Sequence, residues 1–297
     1  MTKESTRPLC PKCNSPCARG GTSDYGVPRW RCSSDDCLWN GTQPINSPDS
    51  SAGLDRTAIE SLDSRLKNDV GRRRYVITAA QNATPIHAPF LANLLSYCKK
   101  NRAQLVVIPY RYKNPTSMWS ADAESDDWWA PELTKYLYDR RINPTPKLTL
   151  LADIKTQPTA QRPLTGYETI TGPRSAIVGH PKIEFTTVPA PQSRMAKIVC
   201  STGAVTKTNY IPSKIGKIAE FHHAFGAVVV ETNGKRFHIR QINALSDGSF
   251  CELDHEYKSG TARKIEIEAL VMGDSHIRFI DPRVVKATFV GKSSIVG

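Results

Sequence analysis

Hydrophobic and polar positions change rhythm several times along the chain. From Leu54 to Val70, Ile59, Leu62 and Leu66 recur at i, i+3 and i+7, with Ala58 on the same side. That stripe predicts an amphipathic helix ending near Gly71. Tyr75–Ala80 is then a β-rich run, and Phe90, Leu91, Leu94, Leu95 and Cys98 line one face of a helix that Pro89 can start. Gln104–Tyr110 is almost wholly apolar, as expected of a strand covered on both faces. Strand, helix and strand in this order predict a βαβ unit. Pro131–Tyr138 offers a helical turn or two, and Leu148–Ala152 a third buried strand. Residues 155–215 read as short strands at 176–178, 183–188 and 197–200. Phe225–Glu231 and Arg236–Ile242 flank Asn233-Gly234, a strong hairpin signal. Ala269–Met272 reads as a last apolar strand.

The first 43 residues follow no such rhythm, and there the cysteines carry the information. Cys10-Pro11-Lys12-Cys13 and Cys32-Ser33-Ser34-Asp35-Asp36-Cys37 form two close pairs eighteen residues apart. Two knuckles at this separation suit four thiolates around one zinc ion. Cys10, Cys13, Cys32 and Cys37 are therefore the expected ligands of a structural zinc. Cys17 is a fifth thiol that can replace Cys13 or stay outside the site. The expected architecture is an α/β (α+β, mixed-sheet) domain preceded by a small zinc ribbon. Its parts are a ribbon at 1–43, a Pro/Ser/Gly-rich linker at 44–53, a linking helix and basic junction at 54–74, and the α/β domain at 75–297.

Charge adds a partner. The chain of 297 residues carries a formal net charge of +12, which favours polyanions and above all nucleic acid, with DNA the expected form. Arg29, Trp30 and Arg31 at the ribbon's tip put cations beside an aromatic ring, a combination suited to phosphate and stacked bases. Arg72, Arg73 and Arg74 form a second basic run, either a phosphate clamp or a solvated junction. Mean hydropathy is −0.41, no apolar run approaches the roughly 20 residues of a membrane span, and the N-terminus carries no apolar signal core. A cytoplasmic protein, without a membrane partner, is expected; oligomeric state is left open.

Three resemblances sharpen these expectations. Gly26-Val27-Pro28-Arg29-Trp30-Arg31-Cys32 resembles the zinc ribbons that open transposases and other DNA-handling proteins. Leu270-Val271-Met272-Gly273-Asp274-Ser275-His276 resembles the first metal motif of calcineurin-like metallophosphoesterases. By that resemblance Asp274 and His276 would be catalytic ligands of Mn or Mg, activating water against a phosphodiester. The family's later motifs do not occur in the residues after His276. Tyr75–Asn82, Ile108–Thr116 and Ala152–Thr159 resemble segments of a group of bacteriophage proteins of unassigned role, which implies a host-cell cytoplasmic setting. The expected function is thus a phage DNA-binding protein with a zinc ribbon, with or without nuclease chemistry at Asp274/His276. A non-catalytic binding protein of replication or regulation, or an assembly module, is the alternative. The paired His222-His223 reads as one ring buried and one exposed beside a β-hairpin, and two look-alikes of a phosphate loop at Gly203 and Gly291 lack a required glycine.

Overall fold

The computed structural model describes residues 17–22, 28–34, 37, 40–41, 54–68, 73–112, 128–189, 196–267 and 281–291. Contacts divide the chain into two units, Met1–Arg263 and Lys264–Gly297.

In the first unit, β1 (Cys17–Thr22), β2 (Pro28–Cys32) and β3 (Asn40–Gly41) form a small antiparallel sheet. Helix α1 (Arg56–Asn68) follows. Asp55 opens it by accepting the Thr57 and Ala58 amides at 2.9 and 3.1 Å, which satisfies two of the donors a helix start leaves open. Ile59, Leu62 and Leu66 are buried, as the periodicity predicted. The βαβ unit also forms: β4 (Arg73–Gln81), α2 (Ala88–Asn101) and β5 (Gln104–Tyr110), with the two strands parallel from Tyr75↔Gln104 to Gln81↔Tyr110. A 3-10 turn, Pro131–Tyr136, stands where helical turns were expected.

Next come β6 (Arg141–Thr145), β7 (Leu148–Leu151), the single turn α3 (Tyr167–Ile170), β8 (Ser175–Val178), β9 (Phe185–Val188) and β10 (Lys197–Ser201). Helix α4 (Lys214–His222) leads to the expected hairpin, β11 (Gly226–Thr232) and β12 (Phe237–Asn243). A three-stranded sheet, β13 (Phe250–Glu252), β14 (His255–Lys258) and β15 (Thr261–Lys264), closes the series.

The strands build two mixed sheets, ordered β12-β11-β4-β5 and β6-β7-β8-β10-β9. Alternation along the first explains its continuous apolar sequence. Tyr75, Ile77, Val106, Ile108, Val228 and Val230 join one core with Leu148 and Leu150 of β7, Ile177 of β8 and Cys200 of β10. Val76, Ala80, Leu105, Val107, Ala227 and Val229 join another with Phe90, Leu94 and Tyr97 of α2. Central strands are thus buried on both faces, one by the second sheet and one by α2. The second sheet's far face, Leu151, Ala176, Val178 and Val199, is covered by Leu164 and Tyr167.

Two elements differ from the sequence expectation. His222-His223, expected as one buried and one exposed ring, instead ends α4 with both residues half-buried, and Ser213 caps that helix by accepting the Gly216 amide at 3.1 Å. Gly216 reads as a helix breaker, yet a Cβ there would stand 2.0 Å from the Ile211 carbonyl oxygen. Close packing requires the glycine and masks the helix in the sequence. The sheet β13–β15 was not anticipated either, because its strands are only three or four residues long. The expected strand 269–272 lies outside the described residues, as does the linker 44–53. The second unit contains α5 (Pro282–Phe289), capped by Asp281, which accepts the Arg283 amide at 2.8 Å. No described helix is long and apolar enough to cross a membrane.

Candidate functional site

Three places on the fold can be weighed as sites: the cysteine-rich sheet, the carboxyl end of β4 and β5, and the start of β4.

In the cysteine-rich sheet, Cys17 on β1 stands opposite Cys32 on β2. Cys17, Cys32 and Cys37 are all buried and pack as one cluster, with Trp30 half-buried against it. The Ser34 amide donates to Cys32 Sγ at 3.4 Å, and the Cys37 amide donates to the Ser34 carbonyl at 3.1 Å. That tight turn brings the two cysteines of the second pair together, and an N–H aimed at sulfur favours the thiolate a metal needs. Cys10 and Cys13 lie outside the described residues, and among the described residues no group of three or more His, Cys, Asp or Glu side chains is arranged to hold a metal ion. Strand alternation turns Trp30 toward the cysteines and leaves Arg31 exposed. Trp30 serves this little core, and Arg31 faces water.

The carboxyl end of parallel strands is the usual place for a ligand site in α/β sheets. Here it is densely polar and closely knit. The Gln81 amide donates to Thr206 Oγ1 at 3.0 Å, and Gln81 Nε2 donates to Thr84 Oγ1 and the Asn209 carbonyl, both at 3.2 Å. Asn82 Oδ1 accepts the Tyr112 amide at 2.9 Å. His223 sits between Tyr210, whose hydroxyl lies 2.9 Å from Nδ1, and the Thr206 carbonyl, 2.8 Å from Nε2. A carbonyl only accepts, so Nε2 carries the proton and Nδ1 receives the Tyr210 hydroxyl. His180, just past β8, has the same tautomer: Nε2 donates to the Gln157 carbonyl at 3.0 Å and Nδ1 accepts the Lys182 amide at 3.0 Å. Burial pushes both imidazoles down to about 4. His87 repeats the arrangement, with Nδ1 accepting the Phe90 amide and Nε2 on the Ser246 carbonyl.

Every ring nitrogen of these three histidines is engaged by protein, so none stands ready for proton transfer to a substrate. Their bonds tie loops to the sheet. Between β5 and the 3-10 turn, Trp128 and Trp129 are buried, and Trp129 Nε1 donates to the Ala80 carbonyl at 3.2 Å. They pack; Trp119 lies outside the described residues.

At the start of β4, Arg73 donates to the Leu66 carbonyl and Tyr75 hydroxyl, both at 3.3 Å. Arg74 donates to Asn101 Oδ1 at 2.6 Å and pairs with Glu231 at 2.7 Å. Both are half-buried and hold the strand's start to α1, α2 and β11. Arg72, Asp274 and His276 lie outside the described residues, and of Arg29 only its place in β2 is described.

The chain is similar to Protein A1 of Escherichia phage T5, at 31% identity over 188 residues, which are 61% of this chain and 34% of that protein. The chain thus spans about a third of the length of the curated relative it matches. No protein-family profile matches the chain, and no solved structure matches it. The similarity supports a bacteriophage origin.

Proposed function

We propose that this chain is a bacteriophage nucleic-acid-binding protein, with DNA the expected ligand, whose N-terminal cysteine hairpin is a zinc ribbon that docks on the phosphate backbone. The observation that carries this reading is the hairpin itself. Cys17, Cys32 and Cys37 are buried together, while Arg31 is exposed on the strand that carries Cys32. Cys32 and Cys37 would hold zinc with Cys10 and Cys13, or with Cys17 in place of Cys13. A hairpin this small has little apolar mass, so the ion would supply the folding free energy that a core cannot. The net charge of +12 supplies the long-range attraction to a polyanion.

The test uses the intact chain. Metal analysis is expected to find one zinc per chain, and Cys32→Ser/Cys37→Ser is expected to lose it. A labelled DNA duplex is expected to shift at low salt, with a weaker shift for Arg29→Ala/Arg31→Ala. A zinc-free protein with normal DNA affinity would remove the ribbon from the account. Absence of binding to single- and double-stranded DNA at low salt would remove nucleic acid from it.

A further inference from the structure

The two ends of the β12-β11-β4-β5 sheet differ in what their charges touch. Four segments meet at the end where β4 begins. Arg73 stands opposite Thr232 in the strand pairing, so the β11–β12 turn, with Lys235 and Arg236, lies at that end. Tyr75 stands opposite Gln104, so the corner from α2 into β5, with Lys99, Lys100 and Arg102, lies there too. Arg73 reaches the Leu66 carbonyl at 3.3 Å, which adds the last turn of α1 with Arg65. Arg65, Lys99, Lys100, Arg102, Lys235 and Arg236 are all exposed, and none forms an ion pair among the described residues.

Four carboxylates described near this edge are already engaged. Glu231 is shared by Arg74 and Arg240, both at 2.7 Å. Glu252 is paired with Arg240. Asp63 is held by Lys67 at 2.6 Å and by the Tyr138 hydroxyl at 2.6 Å. Asp254 is bonded to His255 Nδ1 at 2.7 Å. Among the described residues, these four carboxylates are taken up by other partners and not by the six exposed cations.

Helix dipoles do not account for them. The C-termini of α1 and α2 each present about half a negative charge, about one unit against six. Nor do those ends explain Lys235 and Arg236 on a hairpin turn. Arg102 closes α2 in the left-handed region, at φ 50°. Glycine is the usual occupant of that position, so the arginine costs stability that glycine would retain.

We infer that this edge of the sheet is a second docking surface for the phosphate backbone of a nucleic acid. Four strands at about 4.8 Å spacing span roughly 15 Å. Duplex DNA presents one charge per ~1.7 Å of axis, so the edge faces about nine phosphate charges with six cations. Arg74, Glu231 and Arg240 fix its backbone, and the long exposed side chains adapt to the strand they meet. The inference extends the nucleic-acid reading above but does not depend on the hairpin.

The test measures affinity of the intact chain for a labelled duplex of about 25 base pairs across a salt series. Lys99→Ala/Lys100→Ala/Lys235→Ala/Arg236→Ala is expected to bind at least tenfold more weakly near 0.1 M salt. Its slope of log K against log salt is expected to fall by about three to four, near 0.9 per lost contact. Charge-retaining Lys99→Arg/Lys100→Arg/Lys235→Arg/Arg236→Lys is expected to keep both. An unchanged melting temperature guards against a folding defect. An alanine variant with wild-type slope overturns the inference whatever Arg29→Ala/Arg31→Ala does. Loss in the edge variant with none in the hairpin variant supports the edge and removes the hairpin. Tight binding of poly-glutamate that duplex DNA fails to displace overturns the choice of nucleic acid.

Discussion

The two ends of the four-stranded sheet use their polar side chains in opposite ways. At the carboxyl end, Gln81, Asn82, Thr206, His180 and His223 are turned inward and bonded to one another and to loop backbone. At the other end, Lys99, Lys100, Arg102, Lys235 and Arg236 are exposed and form no ion pair among the described residues. Buried polar groups must find partners or cost one to several kcal/mol each. Exposed cations need none. Polar density alone is therefore a poor guide to a binding site: the first end is a structural clasp and the second is available.

If this contrast holds, substitutions at the clasp change stability and not binding, and those at the open edge do the reverse. The largest effect is expected for His180→Ala. It leaves the Gln157 carbonyl and Lys182 amide without partners and opens a cavity at a fully buried ring. A loss of about 3 kcal/mol in urea unfolding is expected, with duplex affinity of the folded protein unchanged; a loss of affinity would move the binding site to this end.

Acid is expected to act on the clasp next most strongly. His180 and His223 are held near 4, below the ordinary histidine value, because they are buried. The unfolded chain binds protons at these rings near pH 6.5 and the folded chain does not until about 4. Stability should therefore be full above about pH 6.5, fall as pH drops toward 4, and level off below it. His180, fully buried, should contribute up to about 3 kcal/mol of that fall. Urea unfolding at several pH values, in wild type and His180→Gln, measures it; identical profiles would contradict the assignment.

Arg102→Gly separates the two ends by sign. Glycine relieves the left-handed strain at φ 50°, so stability should rise by about 0.5–1 kcal/mol while duplex affinity falls a few-fold. A fall in both would show that Arg102 has a structural role. Smallest of all, Lys235→Ala should shift stability by no more than about 0.5 kcal/mol and lower the salt slope by about one.

Much of this architecture was legible in the sequence, for physical reasons that name particular residues. Gln104–Tyr110 had to be a central strand because its side chains are apolar on both faces, and they enter two different cores. Asn233-Gly234 set the β11–β12 register through its turn, with Gly234 at φ 85°. Ile59, Leu62 and Leu66 draw the face of α1 that the core receives. Helix α4 was hidden because Gly216 serves packing. The clasp was hidden because its partners are backbone carbonyls of Gln157, Thr206 and Ser246, which carry no sequence signature. Of the candidate site, the sequence showed the cysteine pairs and the basic run at Arg73-Arg74. It did not show that both arginines brace the fold, or that the available cations lie on the neighbouring corner and turn. Those come together only through strand pairing across more than a hundred residues, as Arg73 with Thr232 does.

The contrast between the ends can be read in one measurement: hydrogen–deuterium exchange of the intact chain with and without a DNA duplex. The account predicts slowed exchange at residues 99–104 and 232–237 when duplex is added, and no change at 81–84 or 206–212. Protection at 81–84 and 206–212, with none at 99–104 and 232–237, would contradict it.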